Sequence, residues 1–200
     1  MPNNRNYKKG APHRDSRLFI IVAEGEREDA YFQYFHLKNQ RIRITIVPRK
    51  QNASAPKYFL KRLEKFEEEG LWSPKDSDSL WFVLDVDAWK REHIDELMAA
   101  CEKDKNWHTA ISNPNFEVWL LFHLMDNLDG LSSNLKHELH LKAKNYTPNL
   151  FCPKIEQAIQ NAKKNDTTPT HIFPNFNQTK VYLLAEQLIE KLGINWQLKK

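Results

Sequence analysis

The sequence predicts an α/β protein: a parallel sheet of about four strands flanked by helices, followed by a helical C-terminal extension. Short continuous apolar runs alternate four times with stretches of helical periodicity, the pattern of buried strands joined by right-handed crossovers. Acidic residues also gather where those apolar runs end, which is where open parallel sheets carry their ligand crevices.

The first strand is "RLFIIVAEG", ended by Gly25, and "REDAYFQYFHL" follows with Tyr31, Phe32 and Phe35 at helical spacing. "RIRITIVPR" reads as a second strand and "PKYFLKRLEKFEEEG" as a helix opened by Pro56 and closed by Gly70. "LWFVLD" is a third strand, "REHIDELMAACEKD" a helix, "HTAIS" a fourth strand and "PNFEVWLLFHLMD" a helix with Pro114 in its first turn. Beyond Asp126 the texture changes: "SSNLKHELHLK", "CPKIEQAIQNAKKN" and "KVYLLAEQLIEKL" read as helices, and "NDTTPTHIFPNFNQT" as a loop. The expected organisation is a mobile basic tail over residues 1–15, a catalytic domain over 16–126, and a helical extension over 127–200 packed on it.

With 200 residues, 40% of them hydrophobic, the chain can bury one ordinary core. A formal net charge of +4 is compatible with a polyanionic partner without requiring one. No apolar run approaches the roughly 20 residues of a membrane span, and the polar start resembles no export signal, so a cytoplasmic protein is expected. Cys101 and Cys152 belong to no CxxC motif and are expected to stay unpaired. Oligomeric state is open, and a homo-oligomer is compatible with the sequence.

Glu24 lies at the end of the first strand, Asp85 and Asp87 at the end of the third, and Glu117 in the first turn of the helix after the fourth. Asp85 and Asp87 share a face while the backbone stays extended, and Glu24 and Glu28 stack if a helix has begun at Gly25. Such crowding of negative charge calls for a cation, and oxygen donors suit a hard divalent ion, Mg²⁺ or Mn²⁺. Each acid has a plainer reading too. Asp87 can cap the next helix, and Glu28 can complement a helix N-terminus. Glu117, among Phe116, Val118 and Trp119, needs a partner or a metal.

"FIIVAEGEREDAYF" followed by "WFVLDVD" resembles the Toprim fold, a Rossmannoid sheet with Glu-Gly after strand one and Asp-x-Asp after strand three. Together with "AISNPNFEVWLLFHL" and "AIQNAKKNDTTPTHIFPNFNQTKVYLL", the chain is similar to the RloB-like family over about residues 17 to 192. The resemblance implies metal-dependent phosphoryl chemistry, with catalytic and metal-binding roles for Glu24, Asp85 and Asp87. Glu28 matches the second acid of related overcoming-lysogenization-defect nucleases, and Glu117 is carried over as an additional acidic ligand. It further implies a nuclease acting on DNA or RNA in antiphage defence, with an ATPase of the ABC or SMC type as partner. No segment is expected to serve as the tyrosine-bearing domain of a topoisomerase or the template-binding domain of a primase.

Arg49, Lys50 and Lys57 follow strand two and are candidate contacts to a nucleic-acid backbone, with a solvated loop as the alternative. Asn113 is a candidate substrate contact or a helix N-cap, and Trp89 a candidate stacking residue. His137 and His140 fall one residue short of a zinc-protease helix and read as a surface pair. Two other functions remain open: a Toprim-like sensor or adaptor without turnover, and an aspartyl phosphatase of the haloacid-dehalogenase kind. The latter leaves Glu24 without a role.

Overall fold

A computed structural model describes residues 17–36, 38, 42–49, 53–86, 89 and 91–193. The tail expected over 1–15 lies outside the described residues, as do Lys50 and Asp87. The chain runs β1 (Arg17–Ala23), α1 (Glu26–Gln33), β2 (Ile42–Ile46), α2 (Phe59–Glu68), β3 (Ser79–Asp85), α3 (Arg91–Cys101), β4 (Trp107–Asn113) and α4 (Glu117–Phe122). It continues through α5 (Leu135–Lys142), α6 (Pro148–Phe151), α7 (Ile155–Asn165), β5 (Gln178–Thr179) and α8 (Val181–Leu192).

The sheet has the order β2-β1-β3-β4-β5. Its first four strands are parallel, and β5 pairs antiparallel with the end of β4, Ser112 opposite Thr179. Alternation along each strand divides the core in two. Phe19, Ile21, Ala23, Trp81, Val83 and Ala110 face one side, where α1, α4, α5, α7 and α8 pack. Ile20, Val22, Leu80, Phe82, Leu84 and Ile111 face the other, against Phe59, Leu63 and Phe66 of α2 and Ile94 and Leu97 of α3. Both faces of β1 and β3 are therefore covered, which explains why their sequences are apolar runs instead of alternating ones.

The expected parallel sheet of about four strands is present as β1–β4. Two details are corrected. A short fifth strand, Gln178–Thr179, pairs with β4 inside the segment read as a loop. Two residues are too few for periodicity to register; the pairing is held by Lys180 N–H donating to Ile111 O at 2.7 Å and by the Ser112 and Thr179 hydroxyls at 2.8 Å. The helix expected from Pro114 begins at Glu117, with Phe116 at its N-cap. Asn113 accordingly belongs to β4 and caps no helix; its Nδ2 donates to Pro174 O at 3.0 Å. A 3-10 turn over Pro56–Tyr58 opens α2, and Gly70 follows α2 with φ of 69°, a left-handed conformation that suits glycine. Both cysteines are unpaired, and among the described residues no helix is long and apolar enough to cross a membrane.

Candidate functional site

From β1 the chain moves to β2 on one side and then crosses to β3 on the other, so the strand order reverses between β1 and β3. Outside their carboxyl ends lies the switch-point crevice of an open α/β sheet. Glu24 follows β1 directly, and its Oε2 accepts from the backbone N–H of Asp85 at 3.2 Å and from the indole N–H of Trp89 at 2.8 Å. Its own N–H donates to Val83 O at 3.2 Å. The carboxylate thus reaches across to the end of β3 and is oriented there by two donors. The Trp89 indole N–H is engaged in that role.

Glu28, in the first turn of α1, is 5% exposed. Burial pushes its carboxyl up to about 7, and the charges of Glu24, Glu117 and Asp29 push the same way, against a hydrogen bond from its own backbone N–H. Gly25 makes this placement available. Its backbone is extended, which any residue can adopt, but a Cβ there would stand 3.0 Å from Glu28 Cδ and closer still to Oε2. The glycine in Glu-Gly is thus a matter of space for the carboxyl behind it.

Glu117, 3% exposed, enters from the first turn of α4 and is ion-paired with Arg27. The Arg27 guanidinium lies 5.3 Å from the Tyr146 ring centroid, and Tyr146 OH donates to Arg27 O at 2.9 Å. Glu24, Glu28, Asp85 and Glu117 all border one cleft of about 620 Å³, with Arg27 and Lys136 on its walls. Lys136 and Tyr146 come from the segment after residue 126.

Of the other basic candidates among the described residues, neither Arg49 nor Lys57 lines this cleft. Arg49 pairs with Asp29 at 2.8 Å and donates to Ala23 O at 3.3 Å. Lys57 is exposed, its ammonium 4.9 Å from the Tyr58 ring centroid. Arg62, not singled out by sequence, is buried and donates to Ala23 O at 2.9 Å, Val47 O at 2.8 Å and Pro48 O at 3.3 Å, binding the ends of β1 and β2 together. Burial, then the neighbouring Arg49 charge, lowers its pKa to about 10, against the pull of Asp29. His137 and His140 are exposed on α5. Arg27 sits inside the Glu24–Glu28 motif and could have been noticed there; no local signal marks Lys136 or Tyr146.

A larger recess of about 740 Å³ lies against α7 and α8, lined by Trp81, His108, Glu156, Glu186 and Glu190. Two of its three carboxylates are paired, Glu186 with Lys163 at 2.7 Å and Glu190 with Lys191 at 3.3 Å. The smaller cleft, where buried acids converge, is the better candidate for chemistry.

Among the described residues no three His, Cys, Asp or Glu side chains form a metal-holding group, and Asp87 lies outside them. The donor chemistry nevertheless fits a hard divalent cation: the acids offer only oxygen, and Glu28 is buried against like charge. A family model described as RloB-like protein matches residues 19–188. No curated protein and no solved structure matches the chain.

Proposed function

The chain belongs to the RloB-like family, and on that premise we propose that it is a metal-dependent phosphodiester hydrolase of the Toprim type, acting on DNA or RNA. Its role would be the effector of a prokaryotic antiphage defence system that includes an ABC- or SMC-type ATPase. The observation that carries the reading is the convergence of Glu24, Glu28, Asp85 and Glu117 on one cleft at the point where the strand order reverses.

Glu24, Asp85 and Glu28 would hold Mg²⁺ or Mn²⁺, with Asp87 and Glu117 as further ligands. When bound, the ion would stabilise charge on the phosphate oxygens and lower the pKa of an attacking water. The protein's own contribution is orientation. Trp89 and the Asp85 N–H fix the Glu24 carboxylate, Gly25 leaves room for Glu28, and α4 delivers Glu117 at its first turn.

The test is cleavage of labelled DNA and RNA by the purified chain, alone and with its ATPase, in Mg²⁺, Mn²⁺ or EDTA. Cleavage should require the metal and disappear in Glu24→Ala and in the Asp85→Ala/Asp87→Ala double variant. Unchanged cleavage by those variants would refute the assignment. The Arg27–Glu117 ion pair, which neutralises one acid internally, favours a second reading, a sensor or adaptor whose acids have no catalytic role. Docking of the ATPase without metal-dependent cleavage under any condition would select it.

A further inference from the structure

We propose that Arg27 and Lys136 are the phosphate-holding cations of this cleft, so that α1 and α5, and not Arg49 after β2, grip the substrate backbone. The proposal rests on the hydrolase reading for the site's purpose, while its own content is anion binding.

A wall of carboxylates repels a polyanion, and binding one there requires fixed positive charge beside them. Arg27 is fixed on three sides. Its guanidinium faces the Tyr146 ring, its main-chain carbonyl accepts from Tyr146 OH, and its Nη1 is bound to the buried Glu117 carboxylate. Among the described residues, its Nε and Nη2 form no hydrogen bond, and 39% of the side chain is exposed. A planar fork held by one edge, with its other donors unengaged, is suited to paired contacts with phosphate oxygens. Lys136 is exposed, lines the same cleft and forms no ion pair among the described residues. Arg49 and Arg62, by contrast, have donors engaged by Asp29 and by backbone carbonyls.

The competing role for Arg27 is neutralisation of Glu117 alone. Fluorescence anisotropy of labelled DNA and RNA strands, single and duplex, separates the two when full-length protein is titrated in Ca²⁺ at several salt concentrations. Arg27→Ala and Lys136→Ala are each expected to weaken binding about tenfold and to reduce the salt slope by about 0.9, the amount for one lost phosphate contact. Arg27→Lys should keep the slope and lose part of the affinity. In a Glu117→Gln background, where the carboxylate paired with Arg27 carries no charge, Arg27→Ala should still lower both.

Recovery of affinity in the Arg27→Ala/Glu117→Gln pair, or unchanged slopes in Arg27→Ala and Lys136→Ala, would overturn the proposal. If Arg27→Ala fails to fold, the exposed Lys136→Ala decides. Binding with the expected slopes but no cleavage would support the cations and refute the hydrolase. A wild-type chain that neither binds nor cleaves refutes both.

Discussion

Glu28 and His123 are both buried, and burial shifts each towards its neutral form, Glu28 up to about 7 and His123 down to about 3. His123 Nδ1 faces the Trp119 carbonyl at 2.9 Å, and its Nε2 lies 2.9 Å from Tyr31 OH. A carbonyl can only accept, so Nδ1 carries the proton and Nε2 accepts from the tyrosine. Burial first, then the Lys154 charge, brings the ring from 6.5 down to about 3, against the pull of backbone hydrogen bonds at Trp119 and Leu120. Unfolded chains therefore bind more protons at His123 below 6.5, and stability from this residue is full above that pH and lost as pH falls towards 3. Glu28 has the opposite sign. Its carboxyl is raised from 4.5 to about 7, so its contribution is full below 4.5 and lost as pH rises through 7. Each change amounts to a few kcal/mol at about 1.4 kcal/mol per unit.

The two slopes oppose each other between 4.5 and 6.5, so Glu28→Gln should uncover a stability that climbs steadily with pH across that window. His123→Gln should uncover a decline. Urea titrations at pH steps through the window measure both, and curves parallel to the wild type would contradict the assignment. Gly25→Ala belongs to the same scale. Because the new Cβ meets the Glu28 carboxyl, cleavage should fall by at least tenfold with the circular dichroism spectrum unchanged; full activity would show that Glu28 need not lie where it does.

Among the elements, β5 and the segment before it depend on one buried cation. Lys180, 1% exposed, donates from Nζ to Asp166 Oδ2 at 2.5 Å and to Thr168 O at 2.6 Å, and Tyr182 OH donates to the same Asp166 oxygen at 2.7 Å. Burial would raise the Asp166 pKa, but these hydrogen bonds outweigh it and the net shift is downward. Removing one partner from such a pair leaves an uncompensated charge, so Lys180→Met should cost about 3–5 kcal/mol. The Lys180→Met/Asp166→Asn pair should recover part of that loss. Chemical denaturation gives the energies, and amide exchange across residues 166–179 should accelerate in the single variant; a loss below 1 kcal/mol would mean the pair does not organise this segment.

At the scale of the molecule, one core joins the strands to the helices after residue 126. Phe19, Ile21 and Trp81 of the sheet share a cluster with Leu135, Ile155, Leu184 and Leu188. Ending the chain at residue 126 would expose that face of the sheet, so the fragment should be aggregated or unfolded in solution scattering. A folded, soluble fragment would contradict this. The proposed metal site can be tested at this scale without activity: Mn²⁺ should raise the melting temperature of the wild type by mass action, and much less that of Glu24→Ala or Asp85→Ala.

The amino-acid sequence by itself determined the alternation of strands and helices, the placement of Glu24 and Asp85 at strand ends and that of Glu117 at the start of the helix after the fourth strand, because apolar periodicity and chain position are local properties. The tertiary structure alone decided the order β2-β1-β3-β4-β5, the pairing of Gln178–Thr179 with β4, and which cations border the acids. Arg49 stands in the sequence where a phosphate contact would be sought, yet it folds onto Asp29, while Arg27 meets Glu117 and Tyr146. Those partners are distant in the chain, and a contact closed across so many residues leaves no periodic trace in the sequence that makes it.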